Sequence, residues 1–246
     1  MAAYDELGTT YGRTRVPDPR IQVLIDRALG DAATVVNVGA GTGSYEPVDR
    51  DVTAVEPTAV MIAQRAPGAA PCIRASAEAL PFADASFDAA LAILTVHHWT
   101  DLERGVGELR RVARGRIVIL TWDPAFGDEF WLTRDYAQAS IAYDKERFPP
   151  IDRLAALLGP GAVVEPVPVP HDCSDGFCGA FWRRPEAYLD PAVRAGISNL
   201  RQLEEEISAG LERLRRDLAA GAWQARHADL LTADTLDVGY RIVRTP

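Results

Sequence analysis

Three glycines at alternate positions, Gly39, Gly41 and Gly43, follow an apolar stretch that is typical of a buried strand, Thr34 to Val38. Glycine lets a backbone turn sharply and approach a ligand closely, because it has no Cβ atom. A strand that ends in such a turn is typical of nucleotide-binding sheets. Dinucleotide-binding turns have the spacing G-x-G-x-x-G, and Ser44 occupies the position of their third glycine. We therefore expect a ligand without phosphates.

A carboxylate, Glu56, ends the next predicted strand, which runs from Val52 to Glu56. At this place a carboxylate can accept hydrogen bonds from both hydroxyl groups of a ribose, and it repels a 2′-phosphate. The ligand is therefore expected to contain an unphosphorylated nucleoside.

The glycine turn and Glu56 together resemble the class I S-adenosylmethionine (SAM) dependent methyltransferases, of the group often called type 11. Residues 34–121 carry the resemblance, which includes a third-strand loop from Ala75 to Phe82 and a fourth strand from Ser86 to Leu94. The resemblance implies an α/β fold with a Rossmann-like, seven-stranded and mostly parallel sheet. It also implies SAM as the cofactor.

The resemblance indicates which residues bind the cofactor. Pro57 and Met61 stand where the family packs the adenine, and Tyr11 or Tyr4 in an N-terminal arm can contact a sulfonium through a ring face. Packing of both tyrosines onto the sheet is the alternative. The implied cofactor-binding residues are Tyr11, Asn37, Gly39, Ala40, Gly41, Gly43, Glu56, Pro57, Met61, Ser76, Ala77, Glu78, Leu94 and Thr95.

Three features depart from the family pattern. Asn37 stands where the family usually has an acid, and Ser76 where it usually has an aspartate that holds the adenine amino group. Both side chains can still form hydrogen bonds, so we expect altered affinity and not lost binding. The link from Ser44 to Asp51 is about one helical turn, roughly four residues, shorter than in the family, which predicts a shortened first helix.

Two histidines, His97 and His98, follow the fourth predicted strand, an apolar run from Phe87 to Val96. Ligands of open α/β sheets bind beyond the carboxyl ends of the strands, so these histidines are the candidate catalytic residues. Either can act as a general base if the methyl acceptor is oxygen or carbon, whereas a nitrogen acceptor needs only positioning. Because an extended strand alternates its faces, we expect only one of them to face the pocket.

The elements that must position these residues form one domain over residues 1–246. Apolar positions between Ile197 and Leu218 recur at three and four, which predicts one long amphipathic helix. The aromatic-rich stretch from Trp122 to Pro150 is interpreted as an irregular pocket wall. The predicted parts are an N-terminal arm and helix (1–33), a core sheet (34–170 and 236–246) and a helical lid insertion (171–235).

The composition narrows the possible partners. A net charge of −9 and a pI near 5.0 argue against nucleic acid, whose binding relies on clustered Lys and Arg. Three cysteines without C-x-x-C spacing favour a reducing cytoplasm, and no metal site is expected. No apolar run approaches the roughly 20 residues of a membrane span, and the first residues do not resemble a signal peptide. We expect no membrane partner, and a monomer or homodimer.

The sequence thus predicts a SAM-dependent methyltransferase that acts on a small-molecule metabolite through O-, N- or C-methylation, with the acceptor held under the insertion. One alternative is a protein of this fold that binds SAM or its product without methyl transfer. Another is a non-methylating enzyme on the same fold, such as a cyclase, because a fold does not fix the chemistry. A dehydrogenase is a more distant alternative.

Overall fold

The computed structural model describes residues 15–246. Tyr4 and Tyr11, which the sequence predicts to contact the cofactor, lie outside these residues. Within them, no helix is long and apolar enough to cross a membrane.

The described strands form one large sheet and one small pair. They are β1 (Thr34–Val38), β2 (Asp51–Val55), β3 (Cys72–Ile73), β4 (Phe87–Ile93), β5 (Ala113–Trp122), β6 (Val163–Pro166), β7 (Val169–Pro170), β8 (Thr235–Leu236) and β9 (Tyr240–Arg244). In residues 15–246 the large sheet has seven strands in the order β3-β2-β1-β4-β5-β9-β6, and β7 pairs with β8. Strands β1 to β5 are parallel neighbours, whereas β9 is antiparallel to β5 and β6. The predicted seven-stranded, mostly parallel sheet is confirmed.

The described α-helices cover both faces of this sheet and build the insertion. They are α1 (Pro19–Leu29), α2 (Ala59–Ala63), α3 (Leu102–Val112), α4 (Trp131–Asp135), α5 (Ala139–Arg147), α6 (Ile151–Leu158), α7 (Pro191–Ala195), α8 (Ser198–Gln202), α9 (Ser208–Ala219) and α10 (Ala222–Arg226). Short 3₁₀ helices lie at Val96–His98, Pro124–Asp128, Cys178–Phe181, Pro185–Leu189 and Leu230–Thr232.

The link between β1 and β2 differs from the sequence prediction. It contains turns and no helix, so the predicted shortened helix is wrong. Tyr45 fills the space beneath this link, with a positive φ of 61° and only 1% of its surface exposed. Its hydroxyl donates to Asp175 at 3.0 Å and accepts from the backbone N–H of Asp18 at 3.2 Å. These bonds connect the link to α1 and to the start of the insertion.

The predicted long helix from Ile197 to Leu218 is also wrong, because the chain forms α8 and α9 with turns between them. The interruption follows Leu203, where Glu204 turns away to pair with Arg194. Gly210 does not break α9. It allows the helix to lie against the backbone of Tyr136, because a Cβ at Gly210 would stand 1.6 Å from the Tyr136 carbonyl oxygen.

The insertion shares its apolar core with the sheet. Trp182, Tyr188 and Trp223 are almost fully buried and belong to the same cluster as Leu120 and Ile242 of the central strands. The insertion is therefore an integral layer of the fold.

The segment from Trp122 to Pro150 contributes helices α4 and α5, so its predicted irregularity is wrong.

Candidate active site

A small cavity of about 70 Å³ lies at the carboxyl ends of β1, β2 and β4, where the glycine turn begins. It is lined by Arg15, Asn37, Gly39, Ala40, Gly41, Thr42, Ser44, Glu56, Met61, Ile93, Leu94, Thr95 and His98. The structure thus brings together most of the residues that the sequence assigns to the cofactor.

Gly39 holds the turn tightly against the end of β4. Its φ is +71°, and a Cβ at this position would stand 2.0 Å from the Thr95 hydroxyl oxygen. The backbone N–H groups of Gly39 and Ala40 both donate to the Val55 carbonyl at the end of β2. The turn is thereby fixed to both neighbouring strands, and its outer edge faces the small cavity.

Glu56 is buried beside this turn, with 6% of its surface exposed. One carboxylate oxygen accepts the N–H of Gly41 at 2.9 Å, and the other accepts the N–H of Thr58 at 3.0 Å. Each carboxylate oxygen has a second lone pair, so both oxygens can still accept from a pair of ligand hydroxyl groups. The predicted ribose-binding carboxylate is therefore oriented by the backbone N–H groups of Gly41 and Thr58.

Asn37 presents an unsatisfied acceptor in the same cavity. Its Nδ2 donates to Glu46 at 3.1 Å, while its Oδ1 is buried without a hydrogen-bond partner among the described residues. Glu46 forms a buried ion pair with Arg65 at 2.7 Å, so its charge is compensated. Because an unpaired buried acceptor is costly, Asn37 Oδ1 is suited to accept from a ligand amine.

The remaining predicted cofactor residues lie beyond the cavity wall. Gly43, Pro57, Ser76, Ala77 and Glu78 are not among the lining residues. Ser76 and Pro57 are exposed, and the Ser76 hydroxyl donates to Glu78. Glu78 in turn accepts the N–H groups of Thr100 and Asp101. These residues do not line the cavity, and their role in cofactor binding stays a prediction.

A second and larger cavity, of about 270 Å³, adjoins the first. Arg15, Leu94 and His98 border both cavities, so they mark the junction between them. We call the larger one the aromatic cavity. Its lining residues are Arg15, Leu94, His97, His98, Trp122, Phe130, Thr133, Tyr143, Asp144, Arg147, Phe148, Phe177, Cys178, Gly179, Gly196, Ile197, Ser198, Asn199, Arg201, Gln202, Val238 and Tyr240.

The two histidines do not continue an extended strand. Strand β4 ends at Ile93, Leu94 has a positive φ of 49°, and the chain enters the 3₁₀ helix Val96–His98. Both histidines therefore border the aromatic cavity, and the expectation that only one would face it is wrong. Their ring centroids are 3.8 Å apart, and His97 stacks on Phe148 with 4.1 Å between centroids.

Both imidazoles are neutral at pH 7. Desolvation, followed by the charge of Arg147, lowers the pKa of His98 to about 4. Burial, followed by the charges of His98, Arg147 and Arg15, holds the pKa of His97 well below its ordinary value of 6.5. His97 Nδ1 is buried without a hydrogen-bond partner among residues 15–246. The site thus presents two neutral imidazoles that are weak bases.

Sequence reasoning missed several polar residues of the aromatic cavity, namely Asp144, Arg147, Asn199 and Arg201. Arg15, which lies within the predicted N-terminal arm, is held at the junction by two bonds to Asp175, of which the shorter is 2.7 Å. The short helices α5 and α8 carry the missed residues. No motif of the sequence marks these positions.

Comparison with known proteins identifies the family. A family model of a methyltransferase domain matches residues 36–119. A crystal structure from Anabaena variabilis, assigned to the methyltransferases of an antibiotic biosynthesis pathway, is 36% identical with a TM-score of 0.86. That similarity covers 95% of this chain and 99% of the Anabaena chain.

The chain belongs to the class I SAM-dependent methyltransferases.

Two curated relatives are each named tRNA (carboxymethyluridine(34)-5-O)-methyltransferase. The relative from Saccharomyces cerevisiae is 29% identical over 136 residues, which are 48% of this chain and 46% of the yeast protein. The mouse relative is 28% identical over 130 residues, which are 48% of this chain and 19% of the mouse protein. This methyltransferase therefore spans less than half the length of either relative.

The residues of the small cavity fit SAM as the cofactor. The Asn37 Oδ1 acceptor matches the ammonium of the methionyl part, and the Glu56 carboxylate matches the ribose hydroxyl groups. Among the described lining residues the one cation is Arg15, which pairs with Asp175, so the cavity offers little to a pyrophosphate. The predicted cofactor is supported by the family and by this chemistry.

Proposed function

We propose that this methyltransferase transfers the methyl group of SAM to a small-molecule acceptor in the aromatic cavity. The observation that carries the proposal is the junction of the two cavities at Arg15, Leu94 and His98. SAM supplies an electrophilic methyl group, and the reaction is an in-line displacement that depends mainly on positioning. An acceptor in the aromatic cavity can reach the small cavity through this junction.

The size and lining of the aromatic cavity favour a small acceptor. Its volume of about 270 Å³ lies near the lower end of typical ligand pockets, which are roughly 300–1,000 Å³. Rings of Trp122, Phe130, Phe148, Phe177 and Tyr240 supply an apolar surface against which a planar metabolite can pack. The insertion supplies Phe177 and Ile197 to this lining, so it forms part of the wall around the acceptor.

His98 would orient the acceptor and take its proton. A neutral imidazole at the junction can accept a hydrogen bond from an O–H or N–H group and align the acceptor atom. His98 borders both cavities, so it is the stronger candidate for this role. His97 is stacked on Phe148 and supports the wall beside it.

Transfer RNA is the acceptor that the names of the yeast and mouse relatives suggest. The net charge of −9 disfavours it, because RNA binding relies on many Lys and Arg contacts to phosphates.

Incubation with methyl-labelled SAM tests the proposal. One sample receives a metabolite extract filtered below about 3 kDa, and a second receives bulk tRNA. We expect label in the small-molecule fraction, and no such transfer by Glu56→Ala, which lacks the ribose-binding carboxylate. Label in tRNA, or no transfer to any fraction, would overturn the proposal.

A further inference from the structure

The aromatic cavity is rich in arginine, although the chain as a whole is acidic. The chain has a net charge of −9, with 35 Asp and Glu against 26 Lys and Arg. Among the described lining residues of the cavity, three are arginines, Arg15, Arg147 and Arg201, and one is an acid, Asp144. Arg15 is neutralised by Asp175 from outside the cavity, which leaves two arginines to be explained.

Arg201 has no acidic partner in the part of the chain that the structure describes. It is half-buried on α8, its Nε is fully buried, and that nitrogen has no hydrogen-bond partner. No carboxylate of residues 15–246 lies within 4.0 Å of its guanidinium. A buried N–H group without a partner is unfavourable, and the guanidinium of arginine is well suited to bind an anion at such a place.

Arg147 is held in place but is also poorly neutralised. Its guanidinium lies over the Tyr143 ring, 3.5 Å from the centroid, and Nη1 donates to the Tyr143 carbonyl at 3.1 Å. The nearest carboxylate, that of Glu146, is 3.9 Å away and largely exposed to water, so it contributes little. The stacking fixes the plane of the guanidinium and leaves donors for a ligand.

A buried hydrogen bond brings the two arginines to the same wall. Asn199 Nδ2 on α8 donates to Asp144 Oδ2 on α5 at 2.7 Å. Arg147 lies one helical turn after Asp144 and Arg201 lies two residues after Asn199, so this bond joins the two helices whose arginines line the cavity. Burial raises the pKa of Asp144 to about 7, so its carboxyl only partly offsets their charge.

We propose that Arg147 and Arg201 bind an anionic group, a carboxylate or a phosphate, on the methyl acceptor. The inference rests on the proposed function, since it names a property of the same acceptor. Arginine forms paired hydrogen bonds with carboxylate and phosphate oxygens, which adds orientation to affinity. The acceptor is thus an organic acid whose apolar part lies against the surrounding rings.

Fractionation of the same filtered metabolite extract tests the charge of the acceptor. The extract is passed over an anion exchanger at pH 7, and each fraction is assayed with methyl-labelled SAM. We expect transfer with the retained fraction. Transfer only with the unretained fraction would overturn the inference while leaving the proposed function intact, whereas no transfer with any fraction would overturn the proposed function.

Variants then test the two arginines with the active fraction. In Arg201→Met and Arg147→Met the acceptor KM should rise at least tenfold, with calorimetric affinity for S-adenosylhomocysteine unchanged. Arg216→Met, on the exposed face of α9, is the matched control and should behave as wild type. Arg201→Lys should recover part of the loss, because it restores the charge but not the paired geometry. Unchanged KM in both methionine variants would overturn the inference.

The two anion classes are separated by phosphatase treatment of the active fraction. Loss of acceptor activity after treatment identifies a phosphate, and retained activity identifies a carboxylate. Methyl esterification of the fraction provides the opposite arm, since it should abolish activity only for a carboxylate. Activity that survives both treatments would overturn the inference.

Discussion

Replacement of Gly39 by alanine should be far more harmful than replacement of Gly68, although both glycines have left-handed φ angles of +71° and +85°. Adopting such a φ costs an alanine about 1–2 kcal/mol. At Gly68 a new Cβ meets nothing within 4 Å, so that strain is the whole effect. At Gly39 the Cβ would lie 2.0 Å from the Thr95 hydroxyl oxygen and 2.8 Å from two Thr95 carbons.

The clash at Gly39 adds an overpacking cost of about 1–3 kcal/mol, because Thr95 is buried and cannot move aside freely. Gly39→Ala should therefore lower the free energy of unfolding by about 2–5 kcal/mol, and Gly68→Ala by about 1–2 kcal/mol. Urea denaturation monitored by tryptophan fluorescence measures both.

The double variant Gly39→Ala/Thr95→Ala provides the control for this reasoning. It removes two of the three clashing atoms. Its loss of unfolding free energy should therefore be smaller than the sum of the two single-variant losses by about 1 kcal/mol or more. Equal losses from Gly39→Ala and Gly68→Ala, or strict additivity in the double variant, would refute the close packing of the glycine turn under Thr95.

Three further predictions concern charged and titrating groups of the site. Glu56→Gln should weaken calorimetric binding of S-adenosylhomocysteine by about 1.5–3 kcal/mol through lost charge-assisted bonds, and unchanged binding would remove Glu56 from the cofactor site. The profile of kcat/KM should show no fall between pH 6.5 and about pH 5, and a fall near pH 4, because His98 has a pKa of about 4; a break near pH 6.5 would contradict this. Asp144 has a pKa raised by burial from 3.8 to about 7, so only the folded chain holds this proton between those values, and stability falls as pH rises through the window. At about pH 8 the unfolding free energy of Asp144→Asn should therefore exceed that of the wild type by on the order of 2–4 kcal/mol. Urea titrations should show the two free energies converging toward pH 4. A difference that stays constant with pH would contradict this assignment.

The cofactor half of the site could be predicted from the sequence because its signals are local. The glycine turn and Glu56 lie at the ends of neighbouring strands, and the sheet brings consecutive strand ends together. Eight of the predicted cofactor residues line the small cavity, from Asn37 to Thr95 along the chain. Ser76 departs from this prediction, because its exposed side chain bonds to Glu78 and does not line the small cavity.

The acceptor half could not be predicted, because tertiary contacts assemble it. Arg147 and Arg201 lie on separate short helices that meet through the Asp144–Asn199 hydrogen bond, and no sequence spacing encodes that meeting. The orientation of the two histidines was predicted wrongly because the strand ends at Leu94, which adopts a positive φ. Leu94 is not a glycine, so no residue type in the sequence indicates the end of the strand. Periodicity likewise continues across the break between α8 and α9, where Glu204 pairs with Arg194 of another helix.

The central claim is that the cofactor and the acceptor meet at the junction of the two cavities. A crystal structure of the protein with S-adenosylhomocysteine tests this most directly. The account predicts that the ribose hydroxyl groups bond to Glu56 and that the sulfur lies at the opening bordered by Leu94 and His98. A sulfur directed to bulk solvent, or a ribose bound away from Glu56, would contradict it.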